Sequence, residues 1–209
     1  HAPAAARFAA TPGRDGAAGV RITVDSVGTA GWHVQYWHAG LRLRQGQLYT
    51  LRFTARADRD RRISVDARQA SSPWGALGFV ADAPLSGETW QDYEFTFSPS
   101  ADEENARITF SDLSQPDAAI EIAAVSLREG GRVGPPEGAS LAAGAFPLLR
   151  RGQAWGVGPA SRRDWIEFLY AVEHAYWTGM RTFLREELGV SAPIIGTIAG
   201  CSPVGIQAQ

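Results

Sequence analysis

The run Gly31-Trp32-His33-Val34-Gln35-Tyr36-Trp37-His38 sets two indoles, a phenol, two imidazoles and a carboxamide within eight consecutive positions. Alternate side chains of an extended strand face opposite ways. Trp32, Val34 and Tyr36 are therefore expected on a core side, with His33, Gln35 and Trp37 on the other. Sugars have apolar C–H faces and polar rims, so binding them takes flat aromatic surfaces beside amides, carboxylates or guanidinium forks. Trp37 with Gln35 supplies that pair. The same alternation places Ser64, Asp66 and Arg68 on one outer face and Arg107, Thr109 and Ser111 on another. The loop Gln69-Ala70-Ser71-Ser72-Pro73-Trp74-Gly75 brings a second indole to one end of such a face. The chemistry implied is hydroxyl recognition in a groove walled by Trp37 and Trp74.

Other chemistries have weaker warrants. Glycoside hydrolysis needs two facing carboxylates; Asp66 and Asp112 form the one pair to examine, and the chain is read as non-catalytic. His33 and His38 also fit solvated strand positions, and no His/Cys/Asp/Glu spacing suits zinc. No cofactor is expected; Asp102-Glu103-Glu104 reads as a solvated turn, with structural calcium the one metal entertained. Asp66 with Arg68 also fits a surface ion pair of small value. Trp32 is assigned to the core and Trp90 to the core or an edge, whereas Trp74, following Ser-Ser-Pro in a turn, has little core to fill. The single Cys201 rules out an internal disulfide.

The elements that must position these groups have a period of two. Val20–Val24, Tyr49–Ala55, Ile63–Ala67, Tyr93–Phe97, Ala106–Phe110 and Ile120–Leu127 all alternate apolar with polar, and turn signals such as Gln45-Gly46-Gln47, Ala57-Asp58-Arg59-Asp60 and Ser86-Gly87-Glu88 separate them. Seven or eight short strands without an intervening helix predict an all-β antiparallel sandwich or jelly roll over residues 1–131. Residues 132–160, rich in Gly, Pro and small residues, read as a connector. Over 161–209 the period changes: Trp165, Phe168, Leu169, Val172, Tyr176, Met180, Phe183 and Leu184 recur at helical spacing. Ser161 with Asp164 reads as the N-terminal cap, Gly189 as the stop and Pro193–Thr197 as a short buried strand. That helix needs a partner for its apolar stripe, whether the sandwich, a missing barrel or a second copy through self-association.

Composition narrows the partners. The 209 residues include 44% hydrophobic and 20% charged residues, the balance of a globular chain. A net charge of -2 gives no electrostatic reason to expect nucleic acid or an anionic membrane. No apolar run approaches a membrane span. All 20 basic residues are Arg, which reads as codon bias and not as phosphate binding. The first residue is His1, so the chain reads as a fragment and its start says nothing on secretion.

Residues 31–58, with Trp-His-Val-Gln, then Gly40-Leu41, then Gly46-Gln47-Leu48-Tyr49-Thr50-Leu51-Arg52-Phe53, resemble the carbohydrate-binding modules of families 4 and 9, and Ile122–Leu127 is similar to their last strand. The likeness covers roughly residues 15–130. It implies a jelly roll with the glycan across its concave sheet, contacted at Gln35, Gln69, Trp74 and Arg107. To these the alternation adds His33, Trp37, Asp66 and Arg68. Ser64 and Ser111 depart from the pattern, since longer polar side chains are common there. Residues 162–197 resemble a helix and strand from the (β/α)8 barrel of cellulase-like glycoside hydrolases. Together these imply a secreted, non-catalytic module that targets a parent hydrolase to a polysaccharide, a β-glucan foremost; a structural domain bracing the barrel is the alternative.

Overall fold

The computed structural model describes residues 3–135, 138–145 and 156–195. They group into two units, one up to Gly156 and one from Val157. The first carries nine strands: β1 Ala5–Pro12, β2 Ala18–Ser26, β3 Tyr36–Leu43, β4 Tyr49–Ala57, β5 Arg61–Gln69, β6 Ala76–Leu85, β7 Gln91–Phe97, β8 Glu103–Ser111 and β9 Ala119–Glu129. All strand pairings are antiparallel, in a five-stranded sheet ordered β1-β2-β9-β4-β7 and a four-stranded sheet ordered β3-β8-β5-β6. The expected sandwich is therefore present.

Its core is the inward half of each alternating strand. Ile63, Val65 and Ala67 of β5 and Ala106, Ile108 and Phe110 of β8 are buried from one sheet, and Leu51, Phe53, Ala55, Ile120 and Ile122 from the other. Aromatic contacts knit the two layers. Phe53 of β4 meets Phe110 of β8 edge to face, with centroids 5.0 Å apart, and Phe79 of β6 stacks on Phe97 of β7 at 4.4 Å. Such pairs add about 0.5–1.5 kcal/mol each beyond their buried area.

Two strands go beyond the sequence expectation. β1 is rich in Ala, a poor strand former. β6 is built on Ala, Gly and Pro, yet it alternates throughout: Leu77, Phe79, Ala81, Ala83 and Leu85 are buried, and Gly78, Val80 and Asp82 are exposed. Trp32 is a correction. Gly31–His33 forms a 3-10 turn, which breaks the alternation and leaves the Trp32 indole 53% exposed. A Cβ at Gly31 would lie 1.8 Å from Asp112 Oδ1, so a larger residue there would displace the Asp112 side chain. The backbone N–H of Asp112 donates to the Gly31 carbonyl, at 3.0 Å, tying the turn to the end of β8.

The second unit is a helix, α1, over Pro159–Thr182, continued by a π-helical turn at Phe183–Glu187. It starts earlier than the capping signal suggests: Gly158 is the N-cap, Pro159 opens the first turn, and no side chain caps the N-terminus. Proline fits there because its missing N–H would be unpaired anyway. Gly189 ends the helix at φ +63°, as expected. The Pro193–Ile195 part of the predicted buried strand has no strand structure, and Ile195 is 71% exposed; Gly196 and Thr197 lie outside the described residues.

The turn between β4 and β5 is fastened by charge. Asp58 accepts two hydrogen bonds from Arg61, at 2.7 and 2.9 Å, and one from the Ala119 N–H at 3.2 Å. The Arg61 hydrogen bond is the main cause that lowers the Asp58 carboxyl from its ordinary 3.8 to about 2. A carboxyl depressed in the folded state stabilises it above the unfolded pKa, and loses that contribution as pH falls through the folded value. Asp58→Asn is therefore expected to melt lower than the native chain near neutral pH and to lose less melting temperature between about pH 5 and pH 2. Calorimetric scans across that range provide the check.

Candidate functional site

The outer face of the four-stranded sheet collects the predicted residues because strand register aligns them. Trp37 pairs with Thr109, Thr109 with Asp66, and Asp66 with Val80, which forms one row across all four strands. In the next row Ala39 pairs with Arg107 and Arg107 with Arg68. Ser111, Ser64 and Asp82 make a third. Gln35 sits just before β3, between buried Val34 and inward-packed Tyr36, so it shares the outer side with Trp37.

Two indoles rise above these rows. Trp37 is 51% exposed and Trp74 50%. Trp74 is aimed by a tight turn: its N–H donates to the Ser71 carbonyl at 2.8 Å, Ser72-Pro73 is cis, and Trp74 itself has φ +61°. Gln69 closes the loop base. Its backbone N–H donates to the Gly75 carbonyl at 3.0 Å, its Oε1 accepts from the Gly75 N–H at 3.2 Å, and its Nε2 donates to Glu103 at 3.0 Å. A Cβ at Gly75 would lie 3.1 Å from that Oε1, so the close approach favours glycine. Gln69 thus acts first as the brace that presents Trp74.

Arg107 lies between the indoles. Its guanidinium carbon is 5.5 Å from the Trp37 ring centroid and 5.5 Å from that of Trp74, within cation–π reach of both. The residue is only 8% exposed. Burial first, and then the neighbouring positive Arg68, push its pKa below the ordinary arginine value, although a guanidinium stays protonated regardless. Asp66 gives Arg107 little relief, because it is committed to Arg68 through hydrogen bonds of 2.6 and 2.7 Å. Among the described residues, Arg107 Nε and Thr109 Oγ1 are buried and make no hydrogen bond within the protein. Such groups cost free energy until something pairs with them.

Two expectations need correction. Asp66 is 1% exposed, so it is neither half of a surface ion pair nor a free hydroxyl acceptor, but the buried anchor of Arg68. His33 does not share the Trp37 face by alternation, since it lies in the 3-10 turn, where its Nδ1 accepts from the Thr29 N–H at 3.2 Å and its ring meets Trp32 edge to face. Alternation also could not foresee that one guanidinium would span both indoles, because the link runs from β8 to β3 and to a distant loop. Glu103 and Glu104 belong to β8, and Asp102 accepts from the Gln45 N–H at 2.7 Å. Among the described residues no group of three His, Cys, Asp or Glu side chains is placed to hold a metal ion.

A two-sheet antiparallel sandwich that presents aromatic planes over a row of polar side chains has the surface chemistry that sugar recognition requires. The sequence matches the carbohydrate binding domain family CBM_4_9 over residues 5–115, and the chain belongs to that family. A solved CBM4 structure is 30% identical, with 62% of this chain and 81% of that one covered and a TM-score of 0.53. The N-terminal cellulose-binding domain of Cellulomonas fimi β-1,4-glucanase C is 21% identical over 60% of this chain and 90% of that one, with a TM-score of 0.46. A cellulose 1,4-beta-cellobiosidase of Acetivibrio thermocellus is 38% identical over 63 residues, which span 30% of this chain and 7% of that enzyme. The matched stretch is thus a small part of that relative's length.

Removing Asp66 would strand Arg68 beside Arg107. Breaking a fully buried ion pair costs about 3–5 kcal/mol; the Arg68 side chain keeps 27% exposure and can partly rehydrate. Asp66→Ala is expected to lower the unfolding free energy by about 2–3 kcal/mol, measured by urea denaturation.

Proposed function

We propose that this module binds a single β-glycan chain, a β-glucan foremost, across the outer face of the four-stranded sheet. The observation that carries the reading is the pair of half-exposed indoles, Trp37 and Trp74, each with its ring centroid 5.5 Å from the Arg107 guanidinium carbon. Sugar rings stack on the indoles, while Arg107 and Gln35 meet hydroxyls. Arg68 and Asp66 hold the floor, and Gln69 holds the Trp74 loop.

In this reading the module serves a secreted glycoside hydrolase and keeps it at an extracellular polysaccharide. The similarity to a cellulose 1,4-beta-cellobiosidase of Acetivibrio thermocellus supports that setting. Residues 161–209 then belong with the catalytic barrel; the helix calls for a packing partner, with Phe168 59% and Tyr176 57% exposed. Sugar hydroxyls exchange water hydrogen bonds for protein ones, so stacking and released water supply most of the net affinity. Binding is accordingly weak, dependent on tryptophan and little affected by salt.

Affinity electrophoresis in gels containing soluble β-glucan tests this. The native chain is expected to be retarded, and Trp74→Ala to lose at least about tenfold in affinity, equivalent to about 1.4 kcal/mol. Retardation unchanged by that substitution removes Trp74 from the site.

A further inference from the structure

The outer face of the five-stranded sheet, on the far side of the sandwich from Trp37 and Trp74, holds a cavity of about 240 Å³. Arg21, Arg56, Asp58, Glu88 and Glu121 line it, together with Ala57 and Ala119. At its base three adjacent strands align one charge each: Arg21 of β2 pairs in register with Glu121 of β9, and Glu121 with Arg56 of β4. Arg21 Nη1 donates to Glu121 Oε1 at 2.7 Å, and Arg56 donates through Nε at 3.1 Å and Nη2 at 2.9 Å to Oε2. Glu121 is 5% exposed. Arg56 in turn lies 4.8 Å from the Trp90 ring centroid, which fixes its plane.

Other charges on this face form flat, exposed couples, such as Arg7–Asp25 and Arg52–Glu94, of the sort that contribute little. The triad differs by being buried at its centre and by bordering an opening. Its walls are held in place. Arg61 and the Ala119 N–H fix Asp58, and the Ala57 N–H donates to the Gly87 carbonyl at 3.0 Å, which holds the loop bearing Glu88.

We infer that this cavity is a second binding site, for a neutral polyhydroxylated ligand the size of one or two sugar rings. Three features select that class. Arg21 uses only Nη1 on Glu121, and Arg56 only Nε and Nη2, so planar donors remain on one wall while the exposed Glu88 offers an acceptor. Vicinal hydroxyls, each a donor and an acceptor, suit such a mixed wall. The lining holds two guanidiniums against three carboxylates, which gives an anion no net attraction. The volume also lies below the roughly 300–1,000 Å³ of pockets that enclose drug-sized ligands, which favours a chain end or a short sugar over an extended chain. The ligand class draws on the family's sugar-binding character; the site does not depend on Trp37 or Trp74.

Amide NMR titrations of the full chain with glucose and with cellobiose test the site, in the native protein and in a Trp37→Ala/Trp74→Ala variant. Saturable shifts are expected at Ala57, Glu88, Ala119 and Glu121, and they persist in the double variant even if the opposite face binds nothing. Arg21→Gln and Glu88→Gln, both at exposed positions, are each expected to weaken this response about tenfold while leaving Trp74-dependent retardation unchanged. The inference is overturned if neither sugar shifts these amides, if the shifts ignore both substitutions, or if inorganic phosphate produces the same response, which marks an anion site. Loss of β-glucan retardation with cavity shifts intact overturns the reading of the Trp37 and Trp74 face alone.

Discussion

The outer face of the four-stranded sheet is organised by one imbalance of charge. Asp66 lies beneath two guanidiniums and is spent on Arg68 by a bidentate pair. Arg107 is left buried, with no hydrogen bond from its Nε among the described residues and with the rings of Trp37 and Trp74 each 5.5 Å from its guanidinium carbon. The ion pair in the floor leaves the Arg107 guanidinium to the two indoles, while the Ser71–Trp74 turn and Gln69 position Trp74. A cation–π contact to an exposed ring is worth about 0.5–1 kcal/mol, and both indoles here are half in solvent.

That arrangement is available because the sandwich gives each strand two unlike faces. Inward positions of β5 and β8 are aliphatic or aromatic and wholly committed to packing, including the Phe53–Phe110 contact between layers. Outward positions of the same strands are free to be polar. Register does the rest: residues far apart in sequence, such as Trp37, Thr109 and Asp66, fall into one row because β3, β8 and β5 are neighbours in the sheet. A slip of one residue in β8 would exchange Arg107 and Thr109 for Ile108 and Phe110 and destroy core and site together.

This two-faced logic explains what could be read from the chain. Strict alternation in Ile63–Ala67 and Ala106–Phe110 revealed both the strands and their outward Asp66, Arg68, Arg107 and Thr109. The exposure of Trp74 followed from Ser-Ser-Pro turn chemistry, a local signal. Trp32 and His33 depart from the alternation because a 3-10 turn has no period of two, and that turn is tied by a hydrogen bond to Asp112, some eighty residues away in the chain. β1 and β6 were hidden by their Ala, Gly and Pro content, which weakens propensity while the sheet still supplies their partners. The Arg107 bridge depends on two long-range pairings at once, and no local pattern encodes it.

The two outer faces manage polar groups in opposite ways. On the five-stranded sheet most charges are matched to each other: Arg7 with Asp25, Arg52 with Glu94, Arg14 with Asp92, and Glu121 with two arginines. Across the four-stranded sheet the floor is matched only in part, and Arg107 Nε and Thr109 Oγ1 are left over. A buried group without a partner costs about 1–3 kcal/mol, a cost that a stable sandwich can bear. Both atoms lie beneath the surface of the sheet, so the deficit belongs to the floor, whereas the surface above it is aromatic: Trp37 and Trp74 are half exposed while Thr109 beneath them is wholly buried. The two faces thus differ in kind, one a lattice of matched charges and the other a strained polar floor roofed by indoles.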